Sequence, residues 1–383
     1  MRYGVLRRGV AGVAGALLLG VGLAWGQAGA GANPTTSPGD SGAAPALAGG
    51  EKRHLYGGQF DPRAPEATPA AIRPEWAKLI GEYEADQEKF YVLEDEGKLM
   101  FLMGKDDFET FEPKGADVFE LPGSEPQASQ TVTFQRDAAQ SVTGVAMGGV
   151  VYKRRPFDGP GDFFHITPLR PVEVLRKEAL ADKPPVETGS FRKADLVQLN
   201  VLDPTIKLDI RYATSRNFLT SPMYTEARAY MQRPAAQAVV RASQKLHALG
   251  YGLIIHDSYR PWYVTKMFWD GTPVGDHGFV ANPAKGSKHN RGCAVDLSLY
   301  SLKTGEEIRM TGGYDEMSER SYPFYPGGTA RERWHRDLLR HAMEAEGFTV
   351  NESEWWHFDY KDWAQYPILN LTFEEMEKTG NRE

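Results

Sequence analysis

The stretch SKHNRGCAVDLSLY (Ser287–Tyr300) places a histidine, a glycine and an aspartate ahead of an alternating run. Cys293, Val295, Leu297 and Leu299 alternate with Ala294, Asp296 and Ser298, the period of a β-strand. Asp296 then faces away from the apolar row. Gly292 and Ala294 are small enough to let the chain turn and pass close to a bound group. Taken alone, His289 reads as a structural or surface histidine and Asp296 as a solvated carboxylate. They become something else only if further donors converge on them.

EWWHF (Glu354–Phe358) offers those donors. A catalytic zinc site takes three protein ligands from His, Asp or Glu and keeps one position open for water. His289, Asp296 and His357 make such a set, and Glu354 is left as a spare carboxylate for proton transfer. The surrounding pattern is that of a mixed domain of helices and strands from about Ser190 onward. Pro234 to Leu249 reads as a helix, with Pro in the first turn, Ala238, Ala242, Leu246 and Leu249 on one face, and Gly250 after it. Tyr251 to His256 reads as a short buried strand, and Arg331 to Glu346 as a second helix, ended by Gly347. Phe348 to Asn351 is an extended piece leading into EWWHF. His335 and His341, on that second helix, read as surface residues.

The N-terminal half differs. Arg2, Arg7 and Arg8 precede an apolar run from Val10 to Leu23 and then small residues, the layout of a secretion signal over 1–30. The apolar run is short for a transmembrane anchor, which needs about 20 residues. Residues 31–74 are rich in Pro, Gly and Ala and read as a linker. Between 75 and 155, short alternating pieces are separated by turn signals, as in a small sandwich or barrel. Phe90 and Val92, then Leu99 and Phe101, bracket Asp95-Glu96-Gly97 as in a hairpin. GEYE, GKLMF and TFQRD in this segment resemble the small β-rich domain appended to some serine β-lactamase-like proteins. Residues 156–189 are a second Pro-rich stretch, read as a connector.

A chain of 383 residues exceeds one ordinary domain. Its net charge of −7, with no long basic run, argues against a nucleic-acid partner. Cys293 is the sole cysteine, so no disulfide forms within the chain; it reads as a small buried apolar residue.

Together, SKHNRGCAVDLSL, DSYRP (Asp257–Pro261), EWWHF and DIRYATSRNF (Asp209–Phe218) resemble the zinc D-alanyl-D-alanine dipeptidases. That family includes the dipeptidases of vancomycin-resistance clusters and shares a zinc core with D-Ala-D-Ala carboxypeptidases and the Hedgehog signalling domain. The resemblance covers about Lys193 to Tyr366. It implies that His289, Asp296 and His357 bind one Zn2+ and that Glu354 is the catalytic base. It implies that Arg260 steadies the transition state and that Asp315, in GGYDEMSERS, receives the substrate ammonium group. Tyr212 would line the same end of the pocket, and Ser287 matches the serine of the family's S-x-H opening.

The expected fold is α+β. A Hedgehog/D,D-peptidase-like zinc domain with a central antiparallel sheet over 190–383 follows a small all-β accessory domain. The expected activity is hydrolysis of a small D,D-dipeptide in cell-wall peptide turnover. The protein would be exported, periplasmic or secreted, with no stable membrane span after signal cleavage. Two alternatives stand beside it: a D,D- or L,D-carboxypeptidase on peptidoglycan peptides, and a non-catalytic zinc-stabilised binding module. Glu354 and Arg260 speak against the second, since a structural zinc needs neither.

Overall fold

Two-residue turns with left-handed backbone organise the first described part of the chain. The computed structural model describes residues 68–104, 107–122, 129–156 and 163–378. The expected signal peptide, and the expected linker as far as residue 67, lie outside the described residues. A short helix, α1 (Pro74–Ala77), precedes nine strands: β1 (Gly81–Ala85), β2 (Glu88–Asp95), β3 (Lys98–Met103), β4 (Asp107–Thr110), β5 (Glu112–Pro113), β6 (Val118–Leu121), β7 (Gln130–Arg136), β8 (Val142–Met147) and β9 (Val150–Arg154). Glu96 and Gly97, both at positive φ, join β2 to β3, and Gly148-Gly149 join β8 to β9 in the same way. Such turns match the twist of paired strands, and Val92 pairs with Phe101 across the first hairpin.

These strands pair antiparallel in the spatial order β4-β3-β2-β1-β9-β8-β7-β6-β5. The two ends of that order, β4 and β5, are separated in sequence only by Phe111. The sheet therefore closes on itself as a barrel, the arrangement that removes open strand edges. Its interior is packed with aromatic rings. Phe90 lies 4.8 Å from Phe101 and 5.4 Å from Tyr83, and Phe119 lies 5.5 Å from Phe134, centroid to centroid. Alternation turns Leu93 and Leu102 outward from this core, yet both are buried, as happens where another part of the chain covers a barrel face.

The second part has its own core. Its elements are α2 (Val172–Ala181), β10 (Leu196–Gln198), α3 (Leu199–Leu202), β11 (Lys207–Leu208), β12 (Tyr230–Gln232), α4 (Arg233–His247), β13 (Tyr251–Asp257), α5 (Trp262–Gly271), β14 (Ala294–Ser301), α6 (Ala330–Glu344), β15 (Phe348–Asn351), β16 (Glu354–Tyr360) and α7 (Phe373–Lys378). Helix α2 falls inside the stretch read as a connector. Flanking prolines masked it, but Leu175 and Ala179, one turn apart, bury against α5. Helix α5 begins immediately after Pro261, its N-cap.

The central sheet runs β11-β13-β14-β16-β15. Four of its strands are antiparallel, as expected. The edge strand β11 is parallel to β13, because the chain between them crosses over through α4. Helices α4 and α6 pack on this sheet, and α6 starts with a reciprocal cap between Thr329 and Glu332. Leu253, Ile255, Val295, Leu297 and Leu299 join Trp334 and Leu338 in the core. Cys293 lies fully buried at the start of β14, where burial pushes its thiol up to about 12.

His335 corrects a sequence expectation. It is buried rather than on the surface, with Nε2 3.0 Å from the Tyr251 hydroxyl. Helix α6 is more enclosed than its charged sequence suggests, since Arg333 and Arg336 are buried too. Burial, reinforced by Arg331, holds the imidazole down at about 4. The unfolded chain therefore binds a proton that the folded one refuses between about pH 6.5 and 4. Stability is full above that window and falls as pH drops through it. Denaturant titrations from pH 7 to 4 should show wild type losing up to about 3 kcal/mol more than His335→Gln over that range.

Candidate active site

Three adjacent strands carry three ionisable side chains in one row. Asp296 on β14 stands opposite His357 on β16, and Asp257 on β13 stands opposite Asp296. The second pairing depends on a β-bulge, with the register shifting between Ile255 and Asp257 so that His256 is the extra residue. A bulge re-aims the side chains beyond it, and this one brings Asp257 onto the row. His289 enters from the turn before β14, where the Ser287 hydroxyl accepts the His289 N–H at 3.2 Å. Gly292 leaves that turn at φ +67°, and a Cβ there would lie 2.4 Å from Leu196 Cδ2, so glycine is required. Asn290 ties the turn to its neighbours, donating to the Arg260 carbonyl and to Thr265 Oγ1, both at 2.8 Å.

His289 Nε2, His357 Nδ1 and Asp296 Oδ1 converge. The two nitrogens are 3.0 Å apart, and the carboxylate oxygen lies 3.3 Å from the first and 3.0 Å from the second. The outer nitrogens are already committed. His289 Nδ1 donates to the Ser258 carbonyl at 2.6 Å, and His357 Nε2 donates to Asp359 Oδ1 at 2.9 Å. Neither partner can donate, so in the neutral rings both inner nitrogens present lone pairs. Asp296 Oδ1 is buried and makes no hydrogen bond. With both rings neutral, three electron pairs face one another in a buried space, an arrangement that a shared cation relieves. A tetrahedral ion with bonds of about 2.0–2.1 Å needs donors roughly 3.3 Å apart, close to the spacing here. The field of the cluster favours positive charge, whether a proton on His357 or a metal ion. Burial works against charge on both groups, yet the histidines hold the Asp296 carboxyl well below its usual range, and Asp359 and Asp296 lift His357 well above its own.

A cavity of about 170 Å³ opens on this cluster and includes Arg260, Ser287, Asp315, Tyr212, Glu354 and Trp356 in its lining. It is smaller than the roughly 300–1,000 Å³ of sites for drug-sized ligands. All eight residues singled out from the sequence line it. Glu354 Oε2 is 3.6 Å from His357 Nδ1, and burial lifts its carboxyl to about 7, against the pull of His357. Arg260 is clamped by Asp257, with Nε and Nη2 both 2.9 Å from Oδ2, and Asp257 Oδ1 accepts the Tyr224 hydroxyl at 2.8 Å. The guanidinium lies 4.7 Å from the Phe268 ring centre and 3.6 Å from Asp296 Oδ2. Asp315 sits at φ +61°, with Oδ1 accepting the Tyr212 hydroxyl at 2.8 Å and Oδ2 buried without a partner. Burial and the nearby Asp296 charge push its carboxyl well above the usual range.

Residues 192–378 match the family model for D-Ala-D-Ala dipeptidase. The D-alanyl-D-alanine dipeptidase of Escherichia coli K12 is 34% identical over 175 residues, which cover 46% of this chain and 89% of that one. The chain belongs to the D-Ala-D-Ala dipeptidase family. The enzyme of the same name from Enterococcus faecium is 33% identical over 189 residues, 44% of this chain and 92% of its own. That from Streptomyces coelicolor is 34% identical over 196 residues, 46% and 93%. As a member of the family, the chain is a hydrolytic metallopeptidase.

Several residues of this dipeptidase-family site escaped the sequence reading. Asp257 opens DSYRP, three residues before the arginine it clamps. Asp359, two residues beyond His357 and on the same strand face, fixes that ring; Lys288 Nζ lies 2.5 Å from its other oxygen. Tyr314 donates to Asp296 Oδ2 at 3.0 Å, a contact across 18 residues that no local pattern announces. His256 does not join the cluster; it faces Glu307 at 3.1 Å and the Tyr314 ring. Elemental analysis should find about one divalent metal per chain in wild type and almost none in His357→Ala, where one of three donors is gone. Metal-dependent elevation of Tm should disappear with it.

Proposed function

We propose that this chain is a zinc-dependent dipeptidase that hydrolyses D-Ala-D-Ala or a closely similar D,D-dipeptide. The observation that carries the reading is Asp315. A buried carboxylate oxygen without a partner faces the same cavity as the metal-type donors. A free dipeptide brings an ammonium group to such a carboxylate; a longer wall peptide has an amide there and gains nothing from it. The family relatives carry the same activity in their names.

Zinc held by His289, Asp296 and His357 supplies Lewis acidity and makes water a usable nucleophile at neutral pH. Glu354, lifted to about 7 by burial, takes a proton from the attacking water and returns one to the leaving amine. Arg260, fixed by Asp257, presents its guanidinium to the oxyanion that forms at the attacked carbonyl. Tyr212 orients the Asp315 carboxyl, whose raised proton affinity is relieved when the substrate ammonium arrives. Ser287 keeps His289 in its turn through the backbone bond.

The arginine-bearing, then apolar, N-terminus supports export, with cleavage near residue 30. Outside the cytoplasmic membrane such an enzyme recovers dipeptide from wall turnover without depleting the cytoplasmic precursor. Cell fractionation tests this, and a cytosolic mature enzyme with its leader intact would rule it out.

Purified protein should hydrolyse D-Ala-D-Ala in a metal-dependent assay; cleavage of a muropeptide but not of the free dipeptide would overturn the reading. Glu354→Ala should keep the metal and lose about 10²–10⁴ in kcat. Asp315→Asn should raise KM for the free dipeptide and erase its preference over the N-acetylated form.

A further inference from the structure

Among the described residues, none of the barrel lines the cavity, yet the barrel holds the segment that carries Asp315. Residues 313–329 are gripped from the barrel side at four places. Glu94 caps the start of α6, its Oε2 accepting the Ala330 N–H at 3.0 Å, while its own N–H donates to the Gly328 carbonyl at 3.1 Å. Glu82 Oε1 accepts the Tyr325 hydroxyl at 2.8 Å in a buried bond. Lys89 pairs with Glu319, which also accepts the Tyr91 hydroxyl at 2.8 Å. Arg320 donates to the Pro156 carbonyl at 2.7 Å, just beyond β9.

Arg320 continues the chain of contacts inward. Its Nε reaches Glu316 Oε1 at 2.5 Å, and Glu316 is 1% exposed. Glu316 follows Asp315 directly, and its Oε2 accepts the Gly313 N–H at 3.0 Å, closing the turn on which Asp315 is held at φ +61°. Aspartate tolerates left-handed backbone better than most residues, and here the Glu316 and Tyr212 contacts fix where it stands. Tyr322 of the same segment stacks on Phe279, another residue of the cavity lining.

We propose that the barrel is a positioning element for the ammonium end of the active site. Glu82 and Glu94 act through Tyr325 and the α6 start to set where Asp315 stands. This rests on the dipeptidase reading above. The barrel then governs selection of a free amino terminus without touching substrate.

The test is steady-state kinetics on the full chain with zinc, comparing D-Ala-D-Ala with N-acetyl-D-Ala-D-Ala. Glu94→Ala combined with Tyr325→Phe should raise KM for the free dipeptide about tenfold, the scale of one or two lost hydrogen bonds, with kcat changed by less than about twofold. Preference over the N-acetylated compound should fall by the same factor, and Glu94→Gln in place of Ala should restore much of it. Val145→Ala, inside the barrel core, should lower Tm and leave KM unchanged. Should the double variant not fold, Tyr325→Phe alone gives the same readout with a smaller factor. Unchanged KM in the segment variants, or an equal rise in Val145→Ala, would overturn the proposal. A wild type inactive on D-Ala-D-Ala would instead remove the dipeptidase reading, and this inference with it.

Discussion

Three lone pairs converge in a buried space, and the second half of the fold is arranged to keep them there. His289, Asp296 and His357 stand 3.0–3.3 Å apart, the spacing of donors around one cation. Outer partners prevent any of them from turning away. The Ser258 carbonyl and Asp359 fix the two rings, and the Tyr314 hydroxyl fixes the far side of the aspartate. Such outer contacts set ring orientation and raise donor basicity, so they belong to the site as much as the donors do.

Sheet register does the coarse placement. Asp296 and His357 meet because they are direct partners across two antiparallel strands, and a one-residue slip would turn one of them to the other face. The bulge at His256 adds Asp257 to the row, and Asp257 holds Arg260 over the cavity. One irregular residue thus separates a sheet that only packs from one that also holds a guanidinium at the cavity.

The donors and Glu354 were legible because their chemistry is written in short segments: a histidine and aspartate seven apart around a glycine, and a carboxylate three residues before a histidine. The main helices and strands of the second half followed from periodicity, and α4, β13, α6 and β15 lie within a few residues of expectation. What escaped depends on distant pieces of chain. Tyr314 reaches Asp296, and Asn290 joins two loops, through contacts that no periodicity encodes. Helix α2 escaped because prolines on both sides outweighed its short apolar face, of which only Leu175 and Ala179 are buried. His335 was misplaced because α6 is charged on almost every face, and its burial comes from what packs around it. The closed barrel was foreseen only as one of two architectures, since strand spacing does not say whether the last strand meets the first.

Cys293 carries a consequence for how the molecule stays folded. Its sulfur is enclosed beneath the sheet, and its thiol keeps its proton to about pH 12. Thiolate is the form that attacks disulfides and reacts with oxidants. With one cysteine, buried, this chain has no internal disulfide to form or to lose, so its packing rather than a redox step holds the fold.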